Sequence, residues 1–188
     1  MEMVQDFLEQ SAARTPEKVA LVCDGQRLTY ATVEAMANRM AQALREHGVR
    51  PGDRVALFLP NSIELVAGIF AVLKAGGVFV VVNSTTKRDK LVYMLNNCRA
   101  AALVGLARQA SLLEQVMAET PSLQAAIVVG SAGKALSSTR PVLTFGEIQE
   151  CYPPESLPRT GNDDDLACLI YTSGSTGEPK GVMSAHSN

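Results

Sequence analysis

Blocks of lysine and arginine are missing from this 188-residue sequence, whose 17 basic and 19 acidic side chains leave a formal charge of -2. Nothing is in place to neutralise a succession of phosphates, which argues against a nucleic-acid partner. Cysteine is sparse: Cys23, Cys98, Cys151 and Cys168 are far apart, with no CxxC pair and no companion histidine at metal-ligand spacing. They read as reduced thiols of a cytoplasmic protein, not as a disulfide frame or a metal site. The first 18 residues carry charges throughout and lack the apolar stretch and small-residue cleavage site of a secretory signal. An uninterrupted membrane-length run is absent too, because residues 65–82 are broken by Lys74 and Gly76-Gly77. A lysine at a bilayer centre costs about 2.5–3.5 kcal/mol, so this stretch reads as a buried helix, a turn and a buried strand, with no transmembrane segment. No internal repeat recurs at a fixed period.

What is present is an ordinary globular balance, 47% hydrophobic and 19% charged residues. Strand and helix patterns alternate along the chain, the sign of an α/β fold with a mostly parallel sheet and crossover helices. Residues 19–23 and 27–30 flank Asp24-Gly25 as a short hairpin. Thr29 caps a helix through about His47, with Val33, Met36, Ala37, Met40 and Leu44 inward, Glu34, Arg39, Arg45 and Glu46 toward water, and Gly48 as its stop. Residues 53–59 form a strand, and Asn61 with Glu64 caps a helix reaching Ala75. The β-branched and aromatic run 78–82 is expected to be a strand covered on both faces. Thr86 with Asp89 opens a helix through Asn97. Residues 101–104, 111–118 and 125–129 continue the alternation as strand, helix and strand. Residues 130–140 and 152–164 read as irregular, with Thr144 and Glu147 capping a short helix between them. A strand at 166–171 leads into the most informative stretch of the chain.

That stretch, 171–181, reads YTSGSTGEPKG. A triphosphate needs many short hydrogen-bond donors close together and backbone amides that can approach it unobstructed. Gly174, Gly177 and Gly181 free the backbone, Thr172, Ser173, Ser175 and Thr176 supply hydroxyls, and Lys180 supplies a compact positive charge. Pro179 restrains the backbone beside that lysine. A flexible serine-glycine linker has similar composition, but this segment is abutted by strand-like DLACLIY and GVM and contains a Pro-Lys-Gly step. It is not the common P-loop either, since Lys180 precedes glycine, where that motif has serine or threonine after the lysine. Glu178, at a variable place, reads as a solvated turn residue.

The segment YTSGSTGEPKGVM resembles the signature loop of the acyl-adenylate-forming superfamily: acyl-CoA ligases, luciferases and nonribosomal peptide adenylation domains. The stretches at 27–83 and 89–104 agree with it, so the likeness covers most of the chain and is weakest over 106–162. It implies an incomplete amino-terminal AMP-binding domain over 1–188, the rest of the large domain and a mobile carboxy-terminal domain being expected beyond residue 188. It implies a two-step reaction, in which a carboxylic acid is activated by ATP as an acyl-adenylate and then passed to a thiol. Thr172, Ser173, Gly174, Ser175, Thr176, Gly177 and Lys180 are then the ATP phosphate-binding residues, acting by positioning and charge. The ligands of Mg2+ and the adenylation lysine are expected downstream, so no catalytic residue is assigned within 1–188 and the chain alone is expected to be inactive. The co-substrate is CoA or phosphopantetheine, and the partners are a small-molecule carboxylic acid and, in the second case, an acyl carrier protein.

Residues 82–85, Val-Asn-Ser-Thr, lack the proline-rich pattern usual after this strand in peptide-synthetase domains, which favours the acyl-CoA ligase type. An amino-acid-activating domain and a truncated, non-catalytic binding module remain the alternatives. His186 is a substrate-contact candidate by resemblance and a plain polar residue otherwise. His47 reads as a helix-end residue, and Asp163, Asp164 and Asp165 as solvated acids.

Overall fold

The computed structural model describes residues 2–131, 136–172 and 179–188. It opens with a helix that the sequence pattern does not mark, α1 (Val4–Arg14). Asp6 in its first turn accepts the Met3 amide at 2.8 Å and Arg159 at 2.7 Å. The hairpin β1 (Val19–Cys23) and β2 (Gln26–Thr29) follows as expected, its turn made by Asp24 and Gly25 at φ 48° and 79°. In α2 (Tyr30–Glu46), the Thr29 hydroxyl caps the Thr32 amide at 3.2 Å, and Gly48 at φ 95° terminates the helix.

Next come β3 (Arg54–Phe58) and α3 (Ile63–Lys74). The cap of α3 is Ser62, whose hydroxyl accepts the Leu65 amide at 3.2 Å, and not Asn61, which lies one residue too early to reach it. After β4 (Val78–Val81), Asn83 uses its own side chain to close a turn, accepting the Thr85 amide at 2.9 Å. The Thr86 amide is drawn back to the Asn83 carbonyl. Thr86 is thus part of that turn and does not cap α4 (Arg88–Cys98), which starts at Lys87 without a side-chain cap.

The chain continues through β5 (Ala102–Leu106), α5 (Ala110–Glu119) and β6 (Ala125–Val129). The short strand β7 (Val142–Thr144) has no mark in the sequence; with three residues it shows no alternation of its own, and its existence depends on pairing with β6. Thr144 and Glu147 form the expected capping box on α6 (Phe145–Cys151), and the Thr144 amide holds the Glu147 carboxyl below its ordinary range. Finally β8 (Leu166–Thr172) runs into the loop and β9 (Lys180–Ala185) returns from it.

Among the described residues, seven strands form one sheet in the order β7-β6-β5-β3-β4-β8-β9, parallel except for the β8–β9 pair. Helices cover both faces, as right-handed crossovers between parallel strands require. On one face α2, α3 and α6 pack on Val55, Leu57 and Ile127, and on the other α4 and α5 pack on Phe58, Val80 and Leu103. Phe58, Leu57 and Leu103 are wholly buried, and each contributes roughly 1.5–3 kcal/mol of hydrophobic stabilisation. Val78 and Val80 are covered as expected, but on the opposite face, where Phe79 packs against the α2–α3 cluster, Val81 is 37% exposed.

Among the described residues, two charged residues, Asp6 and Lys74, are buried. The Lys74 side chain, 2% exposed at the end of α3, lies 2.5 Å from Glu9 of α1 and 2.7 Å from Glu34 of α2. Glu34 therefore points into a three-helix junction and not toward water, contrary to its place in the α2 pattern. The basic end of α3 also complements the helix dipole. Among the described residues, no helix is long and apolar enough to cross a membrane.

Candidate functional site

Ligands of open α/β sheets bind outside the carboxyl ends of the strands. In β8 that end is Thr172. The chain leaves there and re-enters the sheet at Lys180, which stands directly opposite Thr172 in the antiparallel register. Residues paired in this way project to the same face, so the Thr172 hydroxyl and the Lys180 ammonium are presented together. Both residues are exposed, while Pro179 between the loop and β9 is buried. Among the described residues no ion pair engages Lys180. Ser173, Gly174, Ser175, Thr176 and Gly177 lie outside the described residues, as does Glu178.

Beneath this end of the hairpin is a contact to which nothing in the sequence points. The Tyr171 hydroxyl lies 2.6 Å from Asn97 Oδ1 and 3.3 Å from the Met94 carbonyl, both in the last turns of α4. Its ring passes over Gly181, where a Cβ would stand 3.5 Å from Tyr171 Cζ. Burial, reinforced by the neighbouring Cys98 thiol, pushes the Tyr171 hydroxyl well above its usual range, and burial likewise raises Cys98. Both groups stay protonated near neutrality.

His186 and the acids of 163–165 belong to the opposite end of the sheet. A cavity of about 350 Å³ opens there, at the amino ends of β3, β4 and β8, lined by His186, Asp165, Thr160 and Val78. His186 Nδ1 accepts the Val4 amide at 3.2 Å, fastening the start of α1, and Asp165 closes a local turn by accepting the Asn162 amide at 2.9 Å. His186 is thus at the other end of β9 from Lys180, and so away from Thr172. His47, at the end of α2, meets the Tyr152 hydroxyl at 3.3 Å.

The His186 bond has a pH consequence. Burial lowers its pKa, outweighing Asp165, Asp6 and Asp163, which raise it, while Arg159 lowers it further. A protonated imidazole has no acceptor for the Val4 amide. A depressed pKa gives stability that is present above the unfolded value, near 6.5, and lost as pH falls through the lower folded value. Urea unfolding between pH 7.5 and pH 5 is expected to show declining stability, with a shallower decline in His186→Asn; an unchanged slope in that variant would count against this role.

The family model described as AMP-binding enzyme matches residues 8–188. The chain belongs to this family. Among curated AMP-binding relatives, it is 35% identical over 187 residues to a 3-oxocholest-4-en-26-oate–CoA ligase of Rhodococcus rhodochrous, covering 97% of this chain and 33% of the ligase. It is 36% identical over 186 residues to tyrocidine synthase 3 of Brevibacillus parabrevis, covering 97% of this chain and 2% of that protein. Two solved structures share the fold. An anthranilate CoA ligase in complex with anthranoyl-AMP superposes with a TM-score of 0.88 at 29% identity, over 98% of this chain and 35% of that one. A benzoate CoA ligase from Burkholderia xenovorans LB400 gives 0.81 at 26%, over 100% and 35%. The chain thus spans about a third of the length of the acyl-CoA ligases it matches.

Proposed function

We propose that this chain supplies the phosphate-binding part of an ATP-dependent ligase that activates a carboxylic acid as an acyl-adenylate and passes it to a thiol. The observation that carries this reading is the pairing of exposed Thr172 with exposed Lys180 at the carboxyl end of β8, in a family-matched chain. A hydroxyl donor and a compact cation on one face, flanking seven residues of loop sequence rich in serine, threonine and glycine, fit phosphate oxygens. Thr172, Ser173, Gly174, Ser175, Thr176, Gly177 and Lys180 are proposed to hold the β- and γ-phosphates. ATP supplies the phosphorus that the acid's carboxylate attacks, and this chain's part is to hold and neutralise the leaving pyrophosphate.

The acceptor is proposed to be CoA, with a carrier-bound phosphopantetheine as the second reading. The sequence at 82–85 favours the first, whereas the 35% and 36% identities to a CoA ligase and a peptide synthetase do not separate them. The amino-terminal AMP-binding domain is taken to continue beyond residue 188, where the Mg2+ ligands and the adenylation lysine are proposed to lie. The 188-residue chain is accordingly proposed to bind ATP, in competition with pyrophosphate, without catalysing acid-dependent exchange of labelled pyrophosphate into ATP. Equilibrium binding and the exchange assay on the same preparation test both statements. ATP binding indifferent to pyrophosphate overturns the loop assignment, and measurable exchange overturns the assignment of catalysis to later residues.

A further inference from the structure

We propose that Tyr171 is a positioning residue for the phosphate loop, tying the strands on both sides of it to the end of α4; this rests on the reading of the loop given above. The paired register of β8 with its parallel neighbour β4 ends early, at Phe79↔Cys168 and Val80↔Leu169. From Ile170 onward β8 projects past β4 and pairs with β9 alone, through Ile170↔Val182, Tyr171↔Gly181 and Thr172↔Lys180. On its open face Ile170 and Val182 are 52% and 53% exposed, so no helix layer steadies the projection from that side. A two-stranded ribbon is marginal by itself. Its opposite face carries Tyr171, and the Tyr171 hydroxyl reaches across to Asn97 and Met94 of α4.

The same side chain acts on both strands. The hydroxyl proton goes to the nearer acceptor, Asn97 Oδ1 at 2.6 Å, which fixes β8 one residue before Thr172. The ring lies against Gly181, one residue after Lys180, and a side chain longer than alanine's at 181 would have to displace it. Thr172 and Lys180 are thus the next residues outward from a clamped pair. Small displacements of positioned groups weaken phosphate binding, so removing the clamp should be felt at the loop without removing any group that touches the ligand.

Inorganic pyrophosphate is the probe, titrated calorimetrically into the 188-residue chain and its variants, with thermal unfolding of each. Tyr171→Phe keeps the ring and deletes the hydroxyl, and is expected to weaken binding by roughly three- to tenfold, the worth of one hydrogen bond. Asn97→Ala, which removes the acceptor from α4, is expected to reproduce that loss, and the double variant not to exceed it. In a Lys180→Ala background, Tyr171→Phe should cost less than in the unsubstituted chain, because of the two positioned groups only Thr172 remains. Equal losses with and without Lys180 would mean a general structural role and overturn the proposal. So would wild-type affinity in Tyr171→Phe and Asn97→Ala while Lys180→Ala is impaired, an outcome that leaves the loop assignment standing. Failure of the unsubstituted chain to bind pyrophosphate overturns both. Should Tyr171→Phe not fold, Asn97→Ala at an exposed helix end carries the same test.

Discussion

Lys74→Met is expected to destabilise the chain by about 3 kcal/mol, the lower end of the cost of leaving a buried ion-pair partner without its counter-charge. At this size that corresponds to a fall in melting temperature of roughly 6–12 °C. Methionine preserves the stem that Lys74 buries, so the loss reports the charge and not a cavity. The group left behind is chiefly Glu34, whose side chain is 17% exposed and whose second carboxylate oxygen has no partner among the described residues. Glu9, 40% exposed, remains hydrated and contributes less, so Glu9→Gln should cost no more than about 1 kcal/mol. Combining Lys74→Met with Glu34→Leu should recover most of the loss, since an apolar junction of similar volume has no charge to desolvate. Urea melts of the four proteins check this. A Lys74→Met loss below about 1 kcal/mol would mean that water reaches Glu34 and that the three-helix junction is not held by its charges.

The contrast between Lys74 and the capped helices shows what the sequence could and could not disclose. The hairpin turn at Asp24-Gly25 and the caps at Thr29 and Thr144 are local events, decided within a few residues, and the parallel sheet shows in the repeated alternation of strand and helix patterns; all of these are legible. The α3 cap was displaced by one residue because Asn61 and Ser62 are both good caps, and only backbone geometry chooses between them. The partners of Lys74 are 65 and 40 residues away in sequence, so no periodicity could mark them. The glutamate concerned even fell on the expected wet side of α2. The same holds at the site. Thr172 and Lys180 stood out through motif composition, and the structure adds that they face each other across β8 and β9. Tyr171 heads the motif, but its acceptor Asn97 lies 74 residues earlier in a helix with no distinguishing pattern. His186, a candidate by resemblance, is carried by the antiparallel return of β9 to the opposite end of the sheet, where it meets Val4.

Lys180→Ala should weaken pyrophosphate and ATP binding by roughly ten- to a hundredfold, the range given by a charge-assisted hydrogen bond of about 1.5–3 kcal/mol. It should do so with almost no effect on folding. Lys180 is exposed at the first position of an edge strand, and surface replacements away from ion pairs and caps stay within about 0.5 kcal/mol. Affinity and stability are therefore expected to separate at this position, whereas at Lys74 stability falls and any loss of binding follows from unfolding. Ionic strength gives a second signature. An exposed lysine acts on phosphate across solvent, so binding to the unsubstituted chain should weaken as salt shortens the Debye length, and Lys180→Ala should lose part of that dependence. Lys180→Arg tests shape as distinct from charge: a planar guanidinium restores the positive charge but not the compact ammonium, so partial recovery is expected. Calorimetric titration of the three proteins at low and high salt checks these outcomes. Affinity in Lys180→Ala within twofold of the unsubstituted chain, at unchanged stability, would show that the cation opposite Thr172 is not a phosphate ligand.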